Sequence, residues 1–455
     1  MKHLNYALSF ALLLTAPYAH AQAPSTTGEV VVAPTTIDPA EWSVDGASLS
    51  IQDAITIALD ASPNVALQEA VQRITRLDVE SVNTAYRPNI SLSSSIETST
   101  GAGYVIGSNQ LSGDMTRSTA TSFNVNLSAS QLIWDFGVSA AQRRAARARI
   151  SSTEIAAVQI ERDIIYAVVQ NYLNAGAALE QLKVAQSALE AETLRARQIE
   201  GYVQVGMRAP IDRANANANL ANAEARVIEA RMNYDLAVID LRAAMGVIDD
   251  ETPLRIEFEV FELQELETHS NRVLVQMALE QRGEFGEQSA SEAAAREMLR
   301  AIRANNYPTL NAVAGVSDSL VIDQSNRWNA YIGIRFNWNL YGSGTVQVQR
   351  RQQEAELIRI SAQTASIAQS VGADVRRASA RIHAAKALVE THNARVANAN
   401  TQLELAEGRY RNGLGDIVEL TDAQQSRVEA EYNLISAELN LSLARASLVA
   451  AIAGW

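Results

Sequence analysis

Between Trp328 and Leu340 apolar and polar residues alternate without a slip. Trp328, Ala330, Ile332, Ile334, Phe336, Trp338 and Leu340 fall on one face; Asn329, Tyr331, Gly333, Arg335, Asn337 and Asn339 fall on the other. A period of two predicts a β-strand with opposite faces in opposite environments. The same alternation runs through Phe123, Val125, Leu127 and Ala129, through Ile90, Leu92 and Ile96, and more weakly through Leu310, Ala312 and Ala314. Two strand pairs are therefore expected, at 89–134 and 309–340. Aliphatic and aromatic residues on one face and asparagine on the other suit a strand between lipid and a wet lumen. On the strands alone, an ordinary half-buried antiparallel sheet fits equally well.

Elsewhere the period is helical. Helices are expected from about Ser62-Pro63 to Tyr86 and from Asn271 to Asn306, each ended by a proline after a tyrosine (Tyr86-Arg87-Pro88 and Tyr307-Pro308). After each strand pair comes a glycine (Gly137, Gly344) and then a very long heptad pattern. Val168, Ala175, Leu182, Leu189, Ala196 and Val203 are spaced by sevens. An offset of 207 residues gives Val375, Ile382, Val389, Val396, Leu403 and Tyr410. Shorter helices follow at 211–247 and 416–453, where Ala223, Ala230, Ala237 and Ala244 become Ala430, Ala437, Ala444 and Ala451 at the same offset. Sustained heptads mean supercoiled helices, and alanine at every seventh position allows close axes. The long helices, 138–205 and 345–412, would each span ~100 Å at the α-helical rise.

The turn phrases repeat as well. "EGYVQVGMRAPID" (200–212) aligns with "EGRYRNGLGDIVE" (407–419). Gly206 and Gly413 stop the long helices, and Asp212 and Asp416 stand where acids favour the next helix start. The chain is thus read as an internal duplication: repeat one at 49–247, a linker at 248–270, repeat two at 271–455. The expected fold class is mixed and mainly α, with duplicated coiled-coil helices and four β-strands per chain. Four strands cannot close a barrel, and lipid does not tolerate an open edge. Several chains must contribute. Three give twelve strands; two give eight, a barrel filled by its own side chains.

Composition narrows the function. Residues 1–21 read as a secretory signal peptide and 22–48 as a poorly ordered leader. With no cysteine in 455 residues, N-terminal lipidation, disulfides and thiolate metal sites are excluded. A net charge of −13 disfavours nucleic acid, whose phosphates recruit Lys and Arg. No segment after the signal reads as a transmembrane helix, so a membrane role rests on the strands. His269, His383 and His392 lack metal-ligand spacing, and Gly342-Ser343-Gly344 has no phosphate-binding lysine. Arg143-Arg144 and Arg350-Arg351 recur at the 207 offset, facing either lipid headgroups or plain solvent. No catalysis and no cofactor are expected.

The duplication, the strand-to-helix joints "LIWDFG" (132–137) and "NLYGSG" (339–344), and the two turn phrases together resemble the TolC-type outer membrane efflux proteins over roughly residues 49–455. The resemblance implies a homotrimer in the outer membrane of a Gram-negative bacterium. A twelve-stranded transmembrane barrel would continue into a periplasmic α-barrel. Its partners would be a periplasmic adaptor and an inner membrane ABC or proton-driven transporter, as in type I secretion and tripartite efflux. The linker, with Leu254, Ile256, Phe258 and Val260 alternating, would lie in an equatorial girdle. Val205, Gly206 and Met207, with Asn412, Gly413 and Leu414, match the adaptor-docking tip. Asp212 and Tyr410 match two members of the family's gate, while its arginine position is Gly415. Glu419 and Asp422 match the acidic positions of the tunnel mouth. The rival reading is a periplasmic coiled-coil adaptor without a pore. A plain coiled-coil spacer would leave the strands unexplained.

Overall fold

The structure, a computed structural model, describes residues 49–104, 115–247, 256, 261, 266–321 and 327–454. The expected signal peptide and leader lie outside these residues, as do Leu254, Phe258 and Val260 of the linker. The elements run α1 (Ile51–Ala61), α2 (Pro63–Asn83), β1 (Asn89–Tyr104), β2 (Met115–Trp134), α3 (Val138–Gln204), α4 (Pro210–Met245), α5 (Asn271–Gln281), α6 (Gly283–Ala304), β3 (Thr309–Val321), β4 (Arg327–Asn337), α7 (Thr345–Arg411) and α8 (Ile417–Ile452).

The 207-residue offset holds at backbone level. α3 and α7 are both 67 residues long and α4 and α8 both 36, and their ends differ by 207 at every boundary. The joints agree too. Phe136 and Gly137 both have positive φ, as do Ser343 and Gly344 207 residues later. Such a pair turns the chain sharply from strand into helix. At the first joint the buried Asp135 carboxylate accepts the backbone N–H groups of Gly137 (3.1 Å) and Ser139 (2.7 Å). At the second the Gly342 carbonyl accepts the Thr345 N–H at 3.0 Å.

The helix expected over 271–306 is broken. Arg282 is extended (φ −72°, ψ 128°) between α5 and α6, and pairs with Glu284 and Asp374. Just beyond the break the helix comes close to α3: a Cβ on Gly286 would sit 2.8 Å from Ile155 Cδ1. Ser62 makes the equivalent break between α1 and α2, its hydroxyl accepting the Asn64 N–H. The fourth strand ends at Asn337, short of the expected 340, and residues 338–340 continue outside it.

The described strands form one antiparallel sheet in the order β1-β2-β3-β4. Among the described residues β1 and β4 are therefore edges with one side unpaired. Tyr331 faces Gly315 across β3 and β4, and a Cβ on Gly315 would sit 2.7 Å from its ring, so the glycine makes room for the tyrosine.

The helices bury the heptad positions. Val375, Ile382 and Ala385 of α7 pack with Leu441, Ala444, Leu448 and Ala451 of α8 and with Leu274 and Ala278 of α5. α8 also packs on α3, through Leu439, Leu443 and Ala446 against Val169 and Leu173. One window of α8 is apolar enough to cross a membrane, contrary to the sequence expectation, but more than half of it is buried in this coiled-coil packing. Near the middle of the long helices Phe261 and Glu267 of the linker are pinned by a charged knot. The Glu267 carboxylate accepts Arg445 Nε at 2.7 Å and also pairs with Lys386, while Arg445 Nη1 donates to the Phe261 carbonyl at 2.9 Å. Burial would raise the Glu267 pKa, but hydrogen bonds and charge from Lys386 and Arg445 outweigh it and hold the carboxyl below its usual value.

A carboxylate with a lowered folded-state pKa stabilises the fold above its unfolded pKa, and that stabilisation is lost as pH falls through the folded value. Glu267→Gln should remove it at neutral pH and leave Arg445 poorly paired, costing about 3 kcal/mol. Thermal melts of helical circular dichroism should show a lower midpoint for the variant at pH 7, with the gap to wild type closing towards pH 3. A constant gap would mean that packing, not ionisation, carries the effect.

Candidate functional site: the paired helical tips

The two long helices end in the same way. Gly206 (φ 75°) and Gly413 (φ 72°) are left-handed. Met207 N–H returns to the Tyr202 carbonyl at 2.8 Å and Gly206 N–H to Val203 at 3.0 Å; Leu414 returns to Arg409 at 2.9 Å and Gly413 to Tyr410 at 3.1 Å. This is a glycine C-cap in which two orphan carbonyls are satisfied at once. Pro210 then opens α4 at its first turn, where a missing N–H costs nothing. Asp416 caps α8, its carboxylate accepting the Ile417 N–H.

The capped turns leave an apolar end. Val205 (69% exposed), Met207 (71%) and Leu414 (75%) project into solvent, flanked by Ile211 and Val418. Asn412 is occupied locally, its side-chain amide donating to the Gly408 carbonyl at 2.8 Å. No Cβ contact within 4 Å would meet a side chain added at Gly206 or Gly413. What these glycines supply is backbone conformation, in a surface that remains open.

Just above the turns the two hairpins meet. Ile199 of α3, Ala216 of α4 and Ile417 of α8 form a buried cluster, with Val203 and Tyr410 packed against it. Tyr410 also touches the Ala406, Leu420 and Ala423 cluster, so it belongs to both hairpins. The Arg208 guanidinium lies over the Tyr410 ring, 4.6 Å from its centre. Burial pushes the Tyr410 pKa up, Arg208 opposes this, and the negative charge of Asp212 reinforces it. Among the described residues the Tyr410 hydroxyl is buried without a hydrogen-bond partner, so there Asp212 acts on it by charge alone. Glu419 pairs with Arg409 at 3.5 Å on the surface, and Asp422 is exposed one turn further along α8.

The sequence-derived residues thus fall at one end of the helical bundle, and Tyr410 and Asp212 are brought near one another. Two were missed. Arg409 partly neutralises Glu419. Arg208 is the more telling, because the signal was present: it stands 207 residues before Gly415, the position where the resemblance expects arginine. The first repeat carries the cation that the second lacks, and it reaches across to the second repeat's tyrosine.

Replacing Gly206 or Gly413 by valine should strain its turn by about 1–2 kcal/mol. Trypsin cleavage at the flanking Arg208, Arg409 and Arg411 should accelerate, while Gly→Asn, which tolerates the left-handed region, should leave it near wild type. Equal acceleration by both would show that the added side chain matters, not the backbone.

The model of the outer membrane efflux protein family matches residues 54–247 and 274–454. Outer membrane protein TolC from Salmonella enteritidis is 26% identical over 306 residues, 63% of this chain and 62% of the relative, so the match spans less than two thirds of that protein's length. Among solved structures, a CusC structure described for transmembrane channel formation superposes with a TM-score of 0.70 at 18% identity, covering 88% of this chain and 91% of that one. The CmeC outer membrane channel of Campylobacter jejuni gives 0.68 at 17% identity, covering 89% and 85%. Two matched segments, one in each half of the duplication, and a mainly helical fold shared with these channels place the chain in the outer membrane efflux protein family.

Proposed function

We propose that the protein is an outer membrane exit duct of a tripartite export system, passing substrate from an inner membrane pump and a periplasmic adaptor to the outside. The observation that carries this reading is the outer face of the sheet. Ile90, Leu92, Ile96, Trp328, Ile332 (90% exposed), Ile334 and Phe336 leave it apolar and uncovered. Aromatic residues gather where strand becomes helix. Trp134, Phe136, Tyr307, Trp338 and Tyr341 are all exposed. Phe136 stacks on Tyr307 at 5.6 Å, and Trp338 Nε1 donates to the Asn306 carbonyl at 3.0 Å. An apolar strand band ending in an aromatic girdle is what a membrane boundary selects. Below the girdle, α3 and α7 are long enough to cross ~100 Å of periplasm. A soluble adaptor would gain nothing by exposing that band to water.

The open edges of β1 and β4 support three copies, whose twelve strands close a barrel of ordinary size. The exposed Val205, Met207 and Leu414 would form the docking ring for the adaptor. Tyr410, held by Arg208 and facing Asp212, would fasten neighbouring hairpins at the closed end. Glu419 and Asp422, repeated around a threefold axis, would stack acidic rings at the mouth and concentrate cations. Each Glu419 has an Arg409 beside it, which weakens its ring relative to that of Asp422.

Purified protein in planar bilayers tests the duct. Wild type should give small resting conductance, and Arg208→Ala should raise it several-fold with the trimer intact on native mass spectrometry. A chain that fractionates with soluble periplasmic proteins and never conducts would overturn the reading. The rings have their own test: trivalent cations added on the tip side should block, and Asp422→Asn with Glu419→Gln should relieve the block, most of the relief coming from Asp422→Asn. Unchanged block with an earlier melt would make these acids helix-stabilising groups only.

A further inference from the structure

The packed helices bury one carboxylate for which the duct has no use. On α3, Ala185, Glu192 and Ile199 stand seven residues apart. All three are buried, Glu192 with 7% of its surface exposed. A charge at such a seam position is costly unless its oxygens are paired. One is: Glu192 Oε1 accepts from Arg195 Nη1 at 3.0 Å. Among the described residues Oε2 is buried without a hydrogen-bond partner. Packing does not require an acid here, because the residue 207 positions on is Ala399, equally buried. Across the seam α8 shows the same deficit. Gln424 is 7% exposed, and its Oε1 is also buried without a partner among the described residues. Glu192 and Gln424 line one cavity of about 60 Å³ between α3, α4 and α8, which is room enough for water. Two orphan acceptors in one wall call for a donor. A metal cation is a poor one, since the positive charges of Arg195 and Arg226 both act at Glu192. From this we infer that the cavity is a proton-binding site. Glu192 takes a proton from water, and its Oε2–H donates to Gln424 Oε1, directly or through one water, tying the first hairpin to α8 in acid medium.

The surroundings favour the neutral acid. Burial raises the Glu192 pKa, and Arg195 of α3 and Arg226 of α4 only partly oppose it. From α8 the wall is formed by Thr421, Gln424, Gln425 and Val428, none of them charged. Thr421 is already engaged, its hydroxyl accepting from Asn219 Nδ2 of α4 at 3.1 Å. Beyond Arg226 an adjoining cavity of about 340 Å³ carries Glu229, Glu429 and Tyr432. A carboxyl with a raised folded-state pKa stabilises the closed seam below its unfolded pKa, and that gain is lost as pH rises through the folded value. The sign is opposite to that of Glu267. Acid therefore loosens the linker knot while it tightens this seam.

The chain has no cysteine, so a single thiol reports the seam in the full-length protein in outer membranes. Val428 is buried in the wall of both cavities. The labelling rate of Val428→Cys by dithiodipyridine, which reacts with thiols in acid as well as alkali, is divided by that of the exposed Asn217→Cys. This ratio should rise from pH 4 to pH 8, by about tenfold for each unit by which the pKa of Glu192 in the closed seam exceeds that in the open one. Adding Glu192→Gln, which supplies a neutral donor at every pH, should hold the ratio at its low value throughout. Adding Glu192→Ala, which leaves Gln424 without a donor, should hold it high throughout. Ala223→Cys, in the α4 wall of the same cavity, should repeat the pattern and guards against a defect peculiar to Val428→Cys. A Gln variant that labels faster than wild type at pH 8 would mean that the charged pair with Arg195 holds the seam. A pH profile equal in wild type and the Gln variant would mean that Glu192 takes up no proton. Either result overturns the inference. Labelling needs no conduction, so both leave the duct reading standing.

Discussion

A strand in lipid must have every backbone N–H and C=O paired, because hydrocarbon offers no substitute partner. Among its described residues this chain builds four antiparallel strands and leaves β1 and β4 each with an unpaired side. Placed in a membrane, that sheet is incomplete by construction. The proposed assembly follows from this single deficit. The strands require further copies, the copies bring their helices into a ring, and the ring turns solvent-facing residues of one chain into contacts and lining. The exposed apolar positions of the sheet then have an explanation in lipid contact.

Alanine makes the helical part workable. Ala216, Ala223 and Ala230 on α4 and Ala423, Ala430, Ala437 and Ala444 on α8 are buried, each seven residues from the next within its own run. Small side chains at every heptad let two helices run close over a great length, and larger residues such as Leu173, Leu182 and Ile382 fill the remaining space. The hydrophobic contribution per residue is modest, but it is repeated over 67-residue helices. Polar knots such as Glu267 with Arg445 and Lys386 add position rather than bulk: they fasten the linker at one height on the bundle.

The tips show how duplication permits exchange. Two equivalent turns, each capped by a left-handed glycine, need not carry identical chemistry, because their hairpins pack together above the turns. At the position matching Gly415 the first repeat carries Arg208, whose guanidinium lies over Tyr410 of the second.

Local pattern determined much of this. Period two in 328–337, heptads in 168–203 and 375–410, and glycines at 206 and 413 each depend on near neighbours in sequence, so strands, long helices and turns were legible to within a few residues. The 207 offset made the duplication legible too, because repeated structure needs repeated spacing. The break at Arg282 was not legible. It stands where Gly283 and Gly286 lie close against Ile155, more than a hundred residues away, and helical periodicity continues across it undisturbed. The site divides in the same way. The turn residues could be named from the sequence, since a C-cap is a local object. That Arg208 lies over Tyr410, that Glu419 is shared with Arg409, and that the Tyr410 hydroxyl is buried without a partner depend on how two hairpins settle against each other. Only the tertiary structure decides that, because packing distances between helices 200 residues apart leave no periodic trace along the chain.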